Sequence, residues 1–319
     1  MKNTSSSLPG SSVSYYLGRI CWKLFRALLM ICLAFVILYP ILYMVSMAFR
    51  TVEDVYSPQV VWIPNQLTLH NIVFTAEVLD YWKLLGRTIF ISGTSTLAQI
   101  FVCSMVGYGL GRFQNNGFSV VIGVLLLTII VPQQIIALPT YFNFQSVDFF
   151  GIIQLITGEP SKLTLLGTPF LTAILALFGQ GIRSGLIILI FRQAYHSMPK
   201  ELEDAAMVDG SGFLGTYFKI MVPNAVNVIL VCFLFTLVWY WNDYYITSIY
   251  IGNFPTLAVR IAGIRPAFQV ATGNAAFDPY YMVVVEQAAC LMMILPVLVL
   301  YIFTQKYFTE SIEKTGLVG

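Results

Sequence analysis

Long, nearly uncharged runs of apolar residues dominate the chain. Six of them reach the roughly 20 residues that a helix needs to cross a hydrocarbon core about 30 Å thick. They lie at about 27–49, 88–111, 118–138, 165–191, 223–240 and 280–303. The fourth run is interrupted by Arg183, and the sixth contains Glu286. This pattern predicts an all-α, polytopic membrane protein with six transmembrane helices.

The composition excludes several classes of protein. Of 319 residues, 58% are hydrophobic and 10% are charged, whereas soluble domains are about 45–50% apolar and about 25% charged. The formal net charge of +2 provides no basic surface of the kind that nucleic-acid binding needs. Five cysteines without a C-x-x-C pair and only two histidines indicate neither a disulfide framework nor a metal site. We therefore expect membrane lipid, and no nucleic acid, as a partner.

Positive charges predict the orientation of the chain. The segment before the first run carries no acid and four basic residues, Lys2, Arg19, Lys23 and Arg26, which favours a cytoplasmic N-terminus. With six spans the C-terminus is cytoplasmic as well. We interpret residues 1–23 as a cytoplasmic tail and residues 24–319 as a single transmembrane domain. The outer loops at about 50–87 and 242–279 are long enough for small structured elements.

A polar loop at residues 197–222 separates the fourth and fifth runs. Pro199 suits a first helical position, acidic residues such as Glu201 favour the positive end of a helix, and Gly210 suits its left-handed end. This order predicts a helix of about three turns. Beyond the glycine, Phe213 and Tyr217 recur at helical spacing, so a second short helix should lead into the fifth span. The loop is thus a helix–glycine–helix elbow.

Two interpretations of this elbow follow from the residues. It is either a solvated connector or a surface on which another protein docks. Ala205 and Ala206 leave a helix face without large side chains, which would allow the backbone of another protein to approach closely. Acids such as Asp204 and Asp209 would suit a basic cleft in that protein.

The spacing in the loop resembles a known motif. Permease subunits of ATP-binding-cassette importers carry E-A-A, three residues, G, nine residues, then I-x-L-P; this chain has Asp204-Ala205-Ala206, Gly210 and Ile220-Met221-Val222-Pro223. It departs from the pattern at Asp204 and Val222. The resemblance implies a coupling helix that docks into a cleft of an ATPase subunit. The coupling residues that it implies are Glu203, Asp204, Ala205, Ala206, Asp209, Gly210, Ile220 and Pro223.

Further segments resemble the sugar-importer permeases, most closely the smaller permease of the maltose transporter family. They are residues 107–113, 191–193, 198–202, 241–243, 295–296, 305–308 and 314–319, whereas Arg87-Thr88 departs from the usual opening of the second span. The resemblance implies a multi-pass subunit of a bacterial plasma membrane that forms the path for a sugar or oligosaccharide. It also implies partners: a second homologous permease, two ATPase subunits and an extracytoplasmic solute-binding protein.

Other functions remain as alternatives. The chain contains no G-x-x-x-x-G-K-[ST] loop, so ATP and Mg²⁺ would be bound by the partner ATPase and the chain itself would need no cofactor. An ion-coupled secondary transporter would suit the glycines around Arg183 and the intramembrane acid Glu286. An intramembrane enzyme needs catalytic pairs inside the spans, and Glu286 has no evident companion in the sequence.

Four polar residues are candidates for the translocation path: Arg183, Asn242, Asp243 and Glu286. A charge near the bilayer centre is costly, so Arg183 and Glu286 should not face lipid. Two interpretations stay open for them. They anchor packing, by pairing with each other or with backbone carbonyls, or Arg183 lines the path, where its planar donors would bind sugar hydroxyls or a uronic carboxylate.

Overall fold

The structure is a computed structural model that describes residues 10–113, 117–148, 152–158, 164–271 and 278–316. The predicted all-α class is confirmed, since the only β pairing among these residues is an isolated bridge between Arg50 and Leu67. The helices are α1 (Gly10–Ala48), α2 (Val52–Tyr56), α3 (His70–Leu79), α4 (Tyr81–Arg112), α5 (Phe118–Ile130), α6 (Gln133–Gln145), α7 (Ile152–Thr157), α8 (Leu171–Leu177), α9 (Ser184–His196), α10 (Glu201–Val208), α11 (Phe213–Thr216), α12 (Val222–Asn224), α13 (Val226–Asn242), α14 (Tyr245–Tyr250), α15 (Leu257–Ala262), α16 (Ile264–Ala271) and α17 (Pro279–Gly316). A π-helical turn, Tyr217–Met221, joins α11 to α12.

Three continuous helices are long and apolar enough to cross a membrane: Tyr15–Ala48 of α1, Tyr81–Arg112 of α4 and Pro279–Lys306 of α17. They coincide with the first, second and sixth apolar runs. In α1, only 6% of the most apolar window is buried, so the described chain leaves most of the length of this helix uncovered. Within the described residues, three helices are able to cross a membrane by their length and composition, or up to five elements if each of two bent helix pairs forms one span.

The third and fifth runs are bent rather than straight. Helices α5 and α6 meet at 98°, and Phe213–Asn224 meets α13 at 80°. At the first bend Val131 is extended, with φ −72° and ψ 119°, because the ring of Pro132 disfavours helical backbone in the residue before it. At the second, the π turn precedes Pro223, which lacks an N–H for the helical ladder.

The fourth run does not form one continuous helix. It forms α8 and α9, separated by residues 178–183. Gly179 (φ 74°) and Arg183 (φ 55°) both adopt left-handed backbone, which a right-handed helix cannot contain. The interruption that the glycines around Arg183 suggested is confirmed.

The chain forms two compact units, one of residues 1–73 and 278–291 and the other of residues 74–277 and 292–319. In the first unit, Met44 and Ala48 pack against Ala288 and Leu291. The Asp54 carboxylate accepts hydrogen bonds from Asn65 and Gln66 in the loop before α3. The two loops predicted to hold small elements contain α2 and α3, and α14 to α16, respectively.

Helix α4 is the centre of the second unit and packs against α8, α9 and α13. Two glycines of α4 allow its backbone to lie close to that of α9. A Cβ on Gly107 would lie 2.5 Å from Cβ of Phe191, and one on Gly111 would lie 2.8 Å from the carbonyl oxygen of Arg192. Small residues four apart let two helix backbones touch, and here they fix α4 directly against α9.

Candidate functional site

Helix α10 is the first half of the elbow and is shorter than predicted. It has eight residues, or about two turns, because it begins at Glu201, two residues after Pro199. Gly210 ends it with φ 77°, as expected. The N–H of Ser211 donates to the carbonyl of Ala206 at 2.9 Å, and that of Gly210 donates to Met207 at 3.0 Å. This pair of bonds is a Schellman motif.

The two alanines of the elbow lie on different sides of α10. Ala206 is buried, with 2% of its surface exposed, whereas Ala205 is exposed. The exposed side also carries Asp204 and Asp209, with Met207 63% exposed and Val208 87% exposed. The outward face of α10 therefore combines acids with uncovered apolar side chains.

Arg112, the last residue of α4, holds the start of α10 in place. Its Nε lies 2.9 Å from Oε2 of Glu203, and the two side chains are only 5% and 13% exposed. The same guanidinium donates to the carbonyls of Met198 at 2.8 Å and Pro199 at 3.0 Å. Glu203 thus faces inward. Sequence reasoning missed this pair, because nothing in the local pattern links Arg112 to residue 203.

An aromatic cluster lies beneath the elbow. The ring of Tyr108 stacks on that of Phe213, with centroids 5.2 Å apart and planes at 22°. The Tyr217 hydroxyl donates to Ser104 at 2.9 Å, and the hydroxyls of Ser104 and Tyr195 are 2.7 Å apart. This cluster joins α4 and α9 to the second half of the elbow. Of the remaining expected coupling residues, Ile220 is half-buried against this core and Pro223 is exposed.

Two buried side chains hold the break between α8 and α9. Gln99 donates through Nε2 to the carbonyl of Ile182 at 2.8 Å and accepts from the Tyr240 hydroxyl at 2.8 Å. The Tyr240 oxygen in turn accepts from the backbone N–H of Ile182 at 3.2 Å. A Cβ on Gly181 would lie 2.6 Å from that hydroxyl. Because the N–H and the carbonyl of Ile182 both have hydrogen-bond partners, the break is a defined part of the fold. Nothing in the sequence pattern had identified Gln99 or Tyr240 as the residues that hold it.

A cavity of about 790 Å³ opens at this break, within the size range of small-molecule sites, about 300–1,000 Å³. The ends of α5, α6 and α9 line it, together with polar side chains that include Gln133 and Gln180. Arg183 lines it as well and is exposed. Its guanidinium carbon lies 4.8 Å from the ring centroid of Trp239, a cation–π contact.

The other three path candidates lie elsewhere. The exposed Asn242 donates to the carbonyl of Val238 at 2.8 Å. The Asp243 carboxylate accepts from the N–H and hydroxyl of Thr247, both at 2.8 Å, and so it caps α14. Neither is among the described residues that line the cavity. Glu286 is half-buried in α17, in the first unit. Among the described residues, no three His, Cys, Asp or Glu side chains are placed to hold a metal ion.

Known proteins similar to this chain support the resemblance. Arabinooligosaccharides transport system permease protein AraQ of Halalkalibacterium halodurans is 27% identical over 90% of this chain and 93% of its own length. Polygalacturonan/rhamnogalacturonan transport system permease protein YtcP of Bacillus subtilis is 24% identical over 87% of this chain and 91% of its own. This chain is homologous to the permease subunits of ATP-binding-cassette sugar importers.

The melibiose/raffinose/stachyose import permease protein MelC of B. subtilis is 25% identical to this permease homologue over 81% of the chain and 84% of its own length. No family model matches the sequence. The crystal structure of a bacterial ABC transporter that imports the acidic polysaccharide alginate contains a chain with the same fold, with a TM-score of 0.64 and 20% identity over 96% of this chain and all of the other.

These relatives decide between the three functions considered from the sequence. They are transport permeases rather than enzymes, and in such transporters ATP hydrolysis lies in separate ATPase subunits. The resemblance to sugar-importer permeases is confirmed. The ion-coupled secondary transporter finds no support among them.

Proposed function

We propose that this chain is one of two unlike permease subunits of an ATP-driven importer, in which it forms the path for a sugar or oligosaccharide. The observation that carries the proposal is similarity over about nine-tenths of the chain to permeases of sugar transport systems. The named cargoes differ among the relatives, from arabinooligosaccharides to polygalacturonan. The names therefore do not identify the cargo of this chain.

The elbow is the proposed contact with the ATPase. Val208 and Met207 expose apolar surface on the outward face of α10, and clusters of uncovered apolar side chains with polar rims are typical of protein interaction sites. Asp204 and Asp209 flank this surface and would meet basic groups of the partner. Arg112 and the Schellman motif at Gly210 hold the helix in one orientation, as force transmission requires.

The topology follows from the same proposal. We place residues 1–23 as a cytoplasmic tail and residues 24–319 as one transmembrane domain, with both termini cytoplasmic in a bacterial plasma membrane. The bent pair α5 and α6 would form the third span, α8 with α9 the fourth, and α13 with the elbow's second half the fifth. The assembly would contain a second homologous permease, two ATPase subunits that bind ATP and Mg²⁺, and an extracytoplasmic solute-binding protein.

Reconstitution of the whole transporter tests the coupling surface. We expect Asp204→Lys and Val208→Asp to insert into the membrane normally and to lose most of the transport-stimulated ATP hydrolysis, because both alter the exposed face of α10. Lys83→Gln is the control, since Lys83 is exposed at the opposite end of α4. Full stimulation in both elbow variants, or uptake by this chain without any ATPase, would contradict the proposal.

A further inference from the structure

Arg183 supplies the only formal charge among the described residues that line the cavity. No carboxylate of the described chain forms an ion pair with it. Its contact with Trp239 occupies one face of the guanidinium. The N–H donors of a guanidinium lie in its plane, in a fork that matches a carboxylate, so this contact leaves them available to a ligand.

The backbone at Arg183 is itself unusual. With φ 55° it is one of two non-glycine residues among those described that adopt the left-handed region, where glycine or asparagine has less steric strain. Gln99 and Tyr240 hold the adjacent peptide of Ile182, which keeps the strained turn in place. Strain of this kind concentrates at ligand sites, and here the strained residue lines the cavity.

The helix ends at the cavity do not replace this charge. The first residues of α6 and α9 line it, and so do the last residues of α5. Helix N-termini are partly positive and C-termini partly negative. Because ends of both kinds meet there, their fields partly cancel, and Arg183 supplies the only full charge among the described lining residues.

We infer that this cavity is a subsite for an acidic saccharide, in which Arg183 binds the carboxylate of a uronic acid unit in a bidentate pair. Gln134 and Gln180 are exposed at the cavity and would bind ring hydroxyls. The inference rests on the proposed function and names its substrate class. A neutral sugar of the same shape would offer the guanidinium no counter-charge and would bind more weakly for that reason.

Two disaccharides that differ only at C6 provide the probes: α-1,4-digalacturonate and α-1,4-galactobiose. Equilibrium binding of each is measured to the assembled transporter in lipid nanodiscs, without the solute-binding protein, so that selection by that protein plays no part. We expect digalacturonate to bind at least about tenfold more tightly than galactobiose, and increasing salt to weaken only the acidic probe.

Substitutions locate the effect at one side chain. Arg183→Gln should remove the preference for digalacturonate and leave galactobiose binding within about twofold. Arg183→Lys keeps the charge without the planar fork and should retain part of the preference. Arg87→Gln is the matched control, because Arg87 also lies over an aromatic ring, 4.0 Å from the centroid of Phe254, but does not line the cavity.

Equal binding of the two probes, or a preference that survives Arg183→Gln, would overturn the inference. ATP-dependent uptake of neutral and acidic oligosaccharides is measured in parallel on the same purified transporter, reconstituted into liposomes together with its solute-binding protein. If the transporter imports a neutral saccharide but binds no digalacturonate, the assignment of the cavity fails and the proposed function stands. If no saccharide enters in an ATP-dependent manner with all partner subunits present, both fail.

Discussion

The buried pair of Arg112 and Glu203 should decide whether α10 keeps its orientation. Arg112 contributes an ion pair at 2.9 Å and two hydrogen bonds to the carbonyls that precede the helix. Arg112→Gln removes all three contacts and leaves a largely buried carboxylate uncompensated. Glu203→Gln removes only the ion pair, because the carbonyls of Met198 and Pro199 keep their donor. We therefore expect Arg112→Gln to have the larger effect.

The magnitude follows from the burial of the two side chains. Removal of one partner from a buried pair costs about 3–5 kcal/mol. With 5% and 13% of the side chains exposed, about 3 kcal/mol is a reasonable lower value for Arg112→Gln. If α10 opens locally, 3 kcal/mol corresponds to an increase of about 150-fold in amide exchange of that helix. The double variant Arg112→Glu with Glu203→Arg restores opposite charges but no donor for the carbonyls, so we expect partial rescue.

Hydrogen exchange of α10 is measured in the assembled transporter, together with transport-stimulated ATP hydrolysis. The control is Lys83→Gln, which breaks an exposed pair with Asp80 at 3.6 Å; exposed pairs contribute about 0–1 kcal/mol. Unchanged exchange of α10 and unchanged stimulation in both pair variants would contradict the role assigned to this pair, and so would an equal effect of Lys83→Gln.

Three further predictions concern single side chains. Gly210→Val should destabilise the elbow by about 1–2 kcal/mol or more, because valine resists the left-handed φ of 77°. Membrane insertion should be normal and stimulated ATP hydrolysis should fall. Unchanged stimulation would contradict this prediction. Gly107→Ala should weaken the packing of α4 against α9 by about 1–3 kcal/mol. Gly93→Ala should not, because its Cβ would meet nothing within 4 Å. Thermal unfolding in detergent compares the two variants, and equal melting temperatures would contradict the close contact of α4 with α9 at Gly107. Tyr240→Phe should lower the free energy of unfolding by about 1–3 kcal/mol, because it leaves the N–H of Ile182 and Oε1 of Gln99 without their partner. Thermal unfolding in detergent measures this effect as well. A wild-type melting temperature would show that the break between α8 and α9 does not depend on this hydroxyl.

Local features of the sequence predicted much of the fold. The length of an uncharged run depends only on neighbouring residues, and three of six runs form continuous membrane-crossing helices. The left-handed end of α10 at Gly210 is equally local, because only the absence of a Cβ makes that backbone easy to adopt. The interruption near Arg183 was visible in its glycines. The spacing from Asp204 to Pro223 also indicated the family of permeases to which the chain is homologous.

Contacts between distant segments were beyond such reasoning. Gln99 and Tyr240 are 141 residues apart, and only the packing of α4 against α13 brings them together at the break. The same holds for Arg112 and Glu203, and for the inward turn of Ala206 while Ala205 stays exposed. A periodic pattern states which faces are apolar but not which partner each face meets. The chain alone therefore determined its class, its elbow and the interruption near Arg183, whereas tertiary packing decided how that break and the elbow are held. It also decided where the single charge among the described residues of the cavity lies.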